Sequence, residues 1–149
     1  MRLRKRFFGL LSTASLLGML IVPATAATNA YAVGCYAESC SGLDPIQEGC
    51  SADAVTIYQL NNVGFWGEGT LQLRFSVRCQ AAWAKVFNDG FANNDIASVQ
   101  NTEGWDTFRS VDYNGGDAYT DMVNDLGSIH SEACITHNNS NNSTCTSWF

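Results

Sequence analysis

The sequence predicts an all-β fold with room for one short helix, built as a small disulfide-stabilised sandwich or barrel. Three observations carry that prediction. Residues 70–78 alternate strictly between apolar and polar side chains, the period of a strand with one face buried. Short strand-like runs recur at regular spacing between Gly, Asn and Asp turn signals, as in sandwiches and barrels. Six cysteines occur in a chain of 149 residues.

The elements follow in order. Residues 35–50 hold Gly42, Asp44-Pro45 and Gly49, which is turn chemistry that cysteines must pin in place. Residues 55–60 make a first strand, and residues 61–69 a glycine-rich turn carrying Phe65 and Trp66. In the run 70–78, Leu71, Leu73, Phe75 and Val77 face inward, and Thr70, Gln72, Arg74, Ser76 and Arg78 face outward. Residues 80–87, with Ala81, Ala82, Ala84 and Trp83, read equally as a short helix or a turn and strand. Asn88-Asp89-Gly90 punctuates. Residues 96–100 and 107–113 are two further strands, followed by an Asn114-Gly115-Gly116 turn. Residues 119–126 are short and mixed, 129–135 form a strand, 138–143 are a polar loop, and 146–149 end apolar. No linker or repeat divides residues 33–149, so a single domain is expected there.

Residues 1–32 have the pattern of a secretory signal peptide. Arg2, Arg4, Lys5 and Arg6 precede an apolar run over 7–22, and small residues allow cleavage after Ala26 or Ala32. The run is shorter than the roughly 20 residues that span a bilayer, so no stable membrane insertion is expected after cleavage. The expected product is secreted and extracellular. It keeps four basic residues, Arg74, Arg78, Lys85 and Arg109, against all fourteen acids, a net charge of −10. Such a surface repels phosphate backbones, which removes nucleic acid from the expected partners.

Export also sets the cysteine chemistry. Cys35, Cys40, Cys50, Cys79, Cys134 and Cys145 are expected to form three disulfides, because the extracellular medium is oxidising. Spacing alone leaves 15 connectivities open. Cys134–Cys145 is the first pairing expected, closing the polar loop, with the other four tying the N-terminal segment to the strand end at Cys79. No C-x₂-C pair occurs, and neither a metal nor any other cofactor is expected, even though His130 and Cys134 are four apart. Asp112, Asn114 and Asp117 are spaced loosely like a calcium loop, but the terminal bidentate glutamate is missing and an Asn-Gly hairpin explains them better.

Catalytic signatures are absent. The sequence holds no G-x-S-x-G elbow, no H-E-x-x-H and no glycine-rich phosphate loop, and oxidised cysteines supply no thiolate. His130 and His137 are the only side chains with an ordinary near-neutral pKa, so no catalytic residue is assigned. The candidate contact residues are Arg74 and Arg78, two cations on one strand face, and Trp66 and Trp105, two rings beside glycines in loops.

The motif order resembles the YjfA-like secreted proteins of Gram-positive bacteria, a family with a domain of unknown function. The residues that carry the resemblance are Ser39-Cys40-Ser41-Gly42-Leu43-Asp44-Pro45, Gly49-Cys50-Ser51-Ala52-Asp53-Ala54 and Leu73-Arg74-Phe75-Ser76-Val77-Arg78-Cys79-Gln80-Ala81-Ala82-Trp83-Ala84. Tyr119-Thr120-Asp121-Met122-Val123-Asn124-Asp125, Ala133-Cys134 and Cys145-Thr146-Ser147-Trp148 complete it. Leu43 stands where that family's Gly-Lys-Asp-Pro pattern has lysine, which removes a basic contact there. The resemblance implies secretion, in some members attachment beyond a membrane segment of larger regulators, and no established activity. The function expected is a non-catalytic binding module at the cell envelope or outside the cell, with cell-wall glycan or an extracellular protein as partner. The alternatives are a secreted inhibitor or toxin directed at a foreign protein, and a small hydrolase working through carboxylates.

Overall fold

Leu71, Leu73 and Phe75 do point inward, and what they meet is a second sheet. The computed structural model describes residues 32–64, 68–87, 91, 94–111, 116–138 and 142–149. Trp66 and residues 112–115 of the calcium-like loop lie outside these residues, as do residues 1–31 of the signal peptide expected over 1–32. Among the described residues, one antiparallel sheet contains β1 (Val55–Asn61), β2 (Thr70–Ser76) and β3 (Ala81–Phe87), with β6 (Ala118–Tyr119) and β7 (Val123–Asn124) both paired to β3. The other, also antiparallel, runs in the order β5 (Asp106–Val111), β4 (Asp95–Asn101), β8 (Ser131–Thr136) and β9 (Ser143–Cys145).

The two sheets pack face to face as a sandwich. Leu71, Leu73, Phe75, Ala82, Ala84 and Val86 from the first sheet meet Ala97, Val99, Val111, Ala133 and Ile135 from the second, together with Phe91 and Val123. Each buried leucine contributes about 1.5–3 kcal/mol by leaving water. The fold is all-β with disulfide stabilisation, as the sequence predicts; its helical content among the described residues is two short 3₁₀ turns, Ala37–Cys40 and Cys50–Asp53.

One open reading is settled and one is corrected. Of the two alternatives for residues 80–87 the turn and strand holds, with Gln80 in the turn and β3 following. The strand over 70–78 stops at Ser76, so Val77 is exposed and Arg78 sits in a turn, not on the strand face of Arg74. Asp53 ends the strand: its carboxylate accepts the Ser76 hydroxyl at 2.6 Å and the Arg78 N–H at 2.9 Å, and Ser76 Oγ accepts the Cys79 N–H at 3.1 Å. These bonds turn the chain before the alternation can continue.

A third layer covers the outer face of the first sheet. Cys35 pairs with Cys40, Cys50 with Cys79 and Cys134 with Cys145. The last is the pairing expected first, the one that closes the polar loop. Of the other four cysteines, Cys50 reaches Cys79 as expected, whereas Cys35–Cys40 closes within the N-terminal segment itself. Cys35, Cys40, Cys50 and Cys79 pack with Ala81, Trp83 and Met122 in a second core that faces away from the sandwich. Backbone bonds seal the cover: the Ala37 N–H donates to the Cys79 carbonyl at 2.7 Å, and the Met122 N–H to the Leu43 carbonyl at 3.0 Å. Strands β2 and β3 are therefore buried on both faces where the cover lies, and only at its margin does their outer face open.

Candidate functional site

That margin forms a groove of about 390 Å³ lined by Pro45, Ile46, Ser51, Arg74, Trp83, Lys85, Asp117 and Tyr119. Strand register explains how residues distant in sequence meet there. Arg74 on β2 lies opposite Trp83 on β3, and Lys85 opposite Tyr119 on β6. Alternation puts Trp83 and Lys85 on the outer face because Ala82, Ala84 and Val86 take the core face. The roof comes from the cover: Asp44 Oδ1 accepts the N–H of Ile46 at 2.7 Å and of Gln47 at 3.1 Å, an Asx turn that holds Pro45 and Ile46 over the sheet.

Tyr119 ties roof to floor, its hydroxyl donating to Asp44 Oδ2 at 3.5 Å. Burial raises the Tyr119 phenol above its ordinary pKa, the negative charge of Asp44 and the hydrogen bond to it raise it further, and the positive charge of Arg109 opposes them. The phenol is thus a neutral donor across the physiological range. Next to Tyr119, Thr120 fills the gap between β6 and β7, accepting the Ala84 N–H on its hydroxyl at 3.1 Å and donating its own N–H to the Ala84 carbonyl at 3.0 Å.

Arg74 is the unusual group. A bulge in β1 shifts the register between Thr56 and Tyr58, so that Thr56 faces Arg74 and Gln59 faces Gln72 on one surface. Arg74 Nη1 donates to Thr56 Oγ1 at 2.7 Å and to Gln72 Oε1 at 3.5 Å, and Nη2 donates to the Ala54 carbonyl at 3.0 Å. All three acceptors are neutral. Among the described residues no carboxylate pairs with this guanidinium, in a chain with fourteen acids. Lys85 differs: it forms an ion pair with Asp117 at 2.9 Å and lies 4.5 Å from the centre of the Phe87 ring.

The candidates singled out from sequence therefore separate. Arg74 lines the groove. Arg78 lies in the β2–β3 turn, and Trp105, 46 % exposed, lies in the β4–β5 turn of the other sheet, where its backbone N–H donates to Asn101 Oδ1 at 3.0 Å. The structure does not bring Arg78 or Trp105 into the groove with Arg74. Of the two histidines, His137 lies 2.9 Å from the buried Asp95, whose other oxygen accepts the Asn138 N–H at 3.1 Å and so fastens the chain after β8. Sequence reasoning missed Trp83, Lys85, Asp117 and Tyr119. The signal that could have found Trp83 and Lys85 is their common parity in a strand, which an unassigned segment cannot show.

The chain belongs to the family described as "Protein of unknown function (DUF2690)", whose model matches residues 38–134. That span contains every residue lining the groove. No curated protein and no solved structure matches the chain.

Proposed function

We propose that the protein is an exported, non-catalytic binding module that acts at the cell envelope, and that the groove at the edge of the disulfide-linked cover is its binding site. The leader-like residues 1–32, the resemblance to secreted proteins and three disulfides, which need an oxidising medium, all support export. One observation carries the choice of site: Arg74, a half-buried cation with only neutral partners, faces a groove in a strongly acidic chain. Even partial desolvation of a guanidinium is costly unless charge meets it, so a ligand that supplies a negative group is favoured there over other surfaces.

Rigidity fits the same role. Cys50–Cys79 joins the roof segment to the β2–β3 turn, so roof and floor are held together before any ligand arrives and little order remains to be imposed on binding. The test is co-sedimentation with purified bacterial cell wall. The wild-type chain is expected to pellet with the wall in a saturable manner. Ser51→Trp, which fills the groove from an exposed position, is expected to lower the bound fraction at least fivefold. Wild-type protein left in the supernatant, or a Ser51→Trp variant that pellets equally well, would count against the proposal.

A further inference from the structure

The groove's own chemistry narrows the ligand, taking its role as the binding site from the reading above. An arginine has five N–H donors in a planar fork. The three bonds that Arg74 makes engage Nη1 and one hydrogen of Nη2, which leaves Nε–H and the second Nη2 hydrogen without acceptors among the described residues. Two donors of one guanidinium plane match the two coplanar oxygens of a carboxylate. The acceptors on Thr56, Gln72 and Ala54 hold the guanidinium in place, so the fork is preorganised.

The surroundings select among anions. Asp117 stands in the groove beside Lys85, and with the leader removed the whole chain carries −10, a field that disfavours a doubly charged phosphate more than a singly charged carboxylate. Apart from Ser51, the other walls are apolar or aromatic: Pro45, Ile46, Trp83 and Tyr119. Such walls suit a small apolar substituent next to the charged group, with the neutral Tyr119 phenol at the rim. We infer that the groove anchors the terminal carboxylate of a short peptide, with Arg74 as the clamp and the roof residues Pro45 and Ile46 covering the side chain beside it. The peptide stems of a cell wall and the C-terminus of a soluble protein both present this group.

The experiment compares N-acetyl-alanyl-alanine with its C-terminal amide, binding to the full exported chain being followed by NMR at the Arg74 Nε–H and the Trp83 indole. The free acid is expected to shift both signals and to bind at least tenfold more tightly than the amide. Arg74→Lys, which keeps the charge and removes the fork, is expected to lose at least tenfold, and equimolar inorganic phosphate is expected not to displace the peptide. Equal binding of acid and amide, an unaffected Arg74→Lys variant or ready displacement by phosphate would each overturn the inference. The wild-type NMR readout stands even where the variant folds poorly. Purified wall, untreated and with its carboxylates amidated, separates the sources. Pelleting abolished by amidation places the carboxylate on the wall and supports both claims. Peptide binding without any pelleting supports the carboxylate inference with a soluble peptide as source and overturns the envelope reading. Pelleting that survives amidation and Arg74→Lys leaves the envelope reading standing and overturns the carboxylate inference.

Discussion

Two ionisable side chains, the half-exposed Arg74 and the buried Asp125, have no ion-pair partner among the described residues, with opposite consequences. In the proposed role Arg74 offers its guanidinium to a ligand; Arg74→Gln is expected to leave the fold in place and to abolish binding of acidic ligands, as isothermal titration would show. Asp125 is only 6 % exposed and lines a separate hollow of about 340 Å³ with Phe75, His130 and Phe149. Burial pushes its carboxyl up to about 7, and the Ser131 hydroxyl and His130 charge offset this only in part. Ser131 Oγ is near enough to favour the ionised form, yet neither it nor Asp125 Oδ2 completes a well-directed hydrogen bond. The folded state therefore holds a proton that the unfolded chain gives up near pH 4. The stability from this group is complete below that value, falls as pH rises towards 7 and is flat above it, a loss of about 2–4 kcal/mol. Asp125→Asn cannot ionise, so unfolding free energies at pH 4.5 and pH 8 are expected to show the variant gaining on the wild type by that amount at the higher pH. A pH-independent difference between the two proteins would contradict this account of Asp125.

Strands and staples differ in what each contributes. In the chain-entropy account a disulfide stabilises in proportion to the logarithm of the loop it closes. Cys50–Cys79 spans 29 residues and Cys35–Cys40 only five. Replacing both cysteines by serine is expected to cost about 3–4 kcal/mol at the first pair and about 2 kcal/mol at the second, measured by chemical denaturation. Leu73→Ala, at a fully buried position of β2, is expected to cost about 2–5 kcal/mol. The strands also differ in how far the sequence exposes them. Strand β2 is legible because one face meets apolar partners while Thr70 and Arg74 stay half-exposed on the other. Strand β3 is not: Ala81, Ala82, Trp83 and Ala84 are all buried, the even positions in the sandwich and the odd ones beneath the cover, so the period of two vanishes. The groove was illegible for the same reason. Lys85 and Tyr119 meet only through β3–β6 pairing, and two-residue strands such as β6 are too short for any periodicity. The Cys134–Cys145 pairing was readable because those residues flank a single polar loop, and they prove to be directly opposed across β8 and β9.

At the scale of the whole molecule, three layers build one groove. The second sheet backs the first, the first supplies the floor of the groove, and the disulfide-linked cover supplies its roof. Negative charge dominates this molecule, and two of the four basic residues downstream of residue 32, Arg74 and Lys85, lie in that one groove. The acidic ligand proposed here would therefore approach against the general field and be held by close contact inside. Raising the salt concentration from 50 to 500 mM is expected to change affinity for N-acetyl-alanyl-alanine only modestly, by about threefold or less, because screening weakens the long-range repulsion together with the local attraction. The most direct test of the central claim is a binding isotherm on purified cell wall for the wild-type chain beside Ser51→Trp. The groove account predicts saturable binding by the wild type and at least a fivefold loss on plugging the groove. Indistinguishable isotherms, or no saturable binding at all, would contradict it.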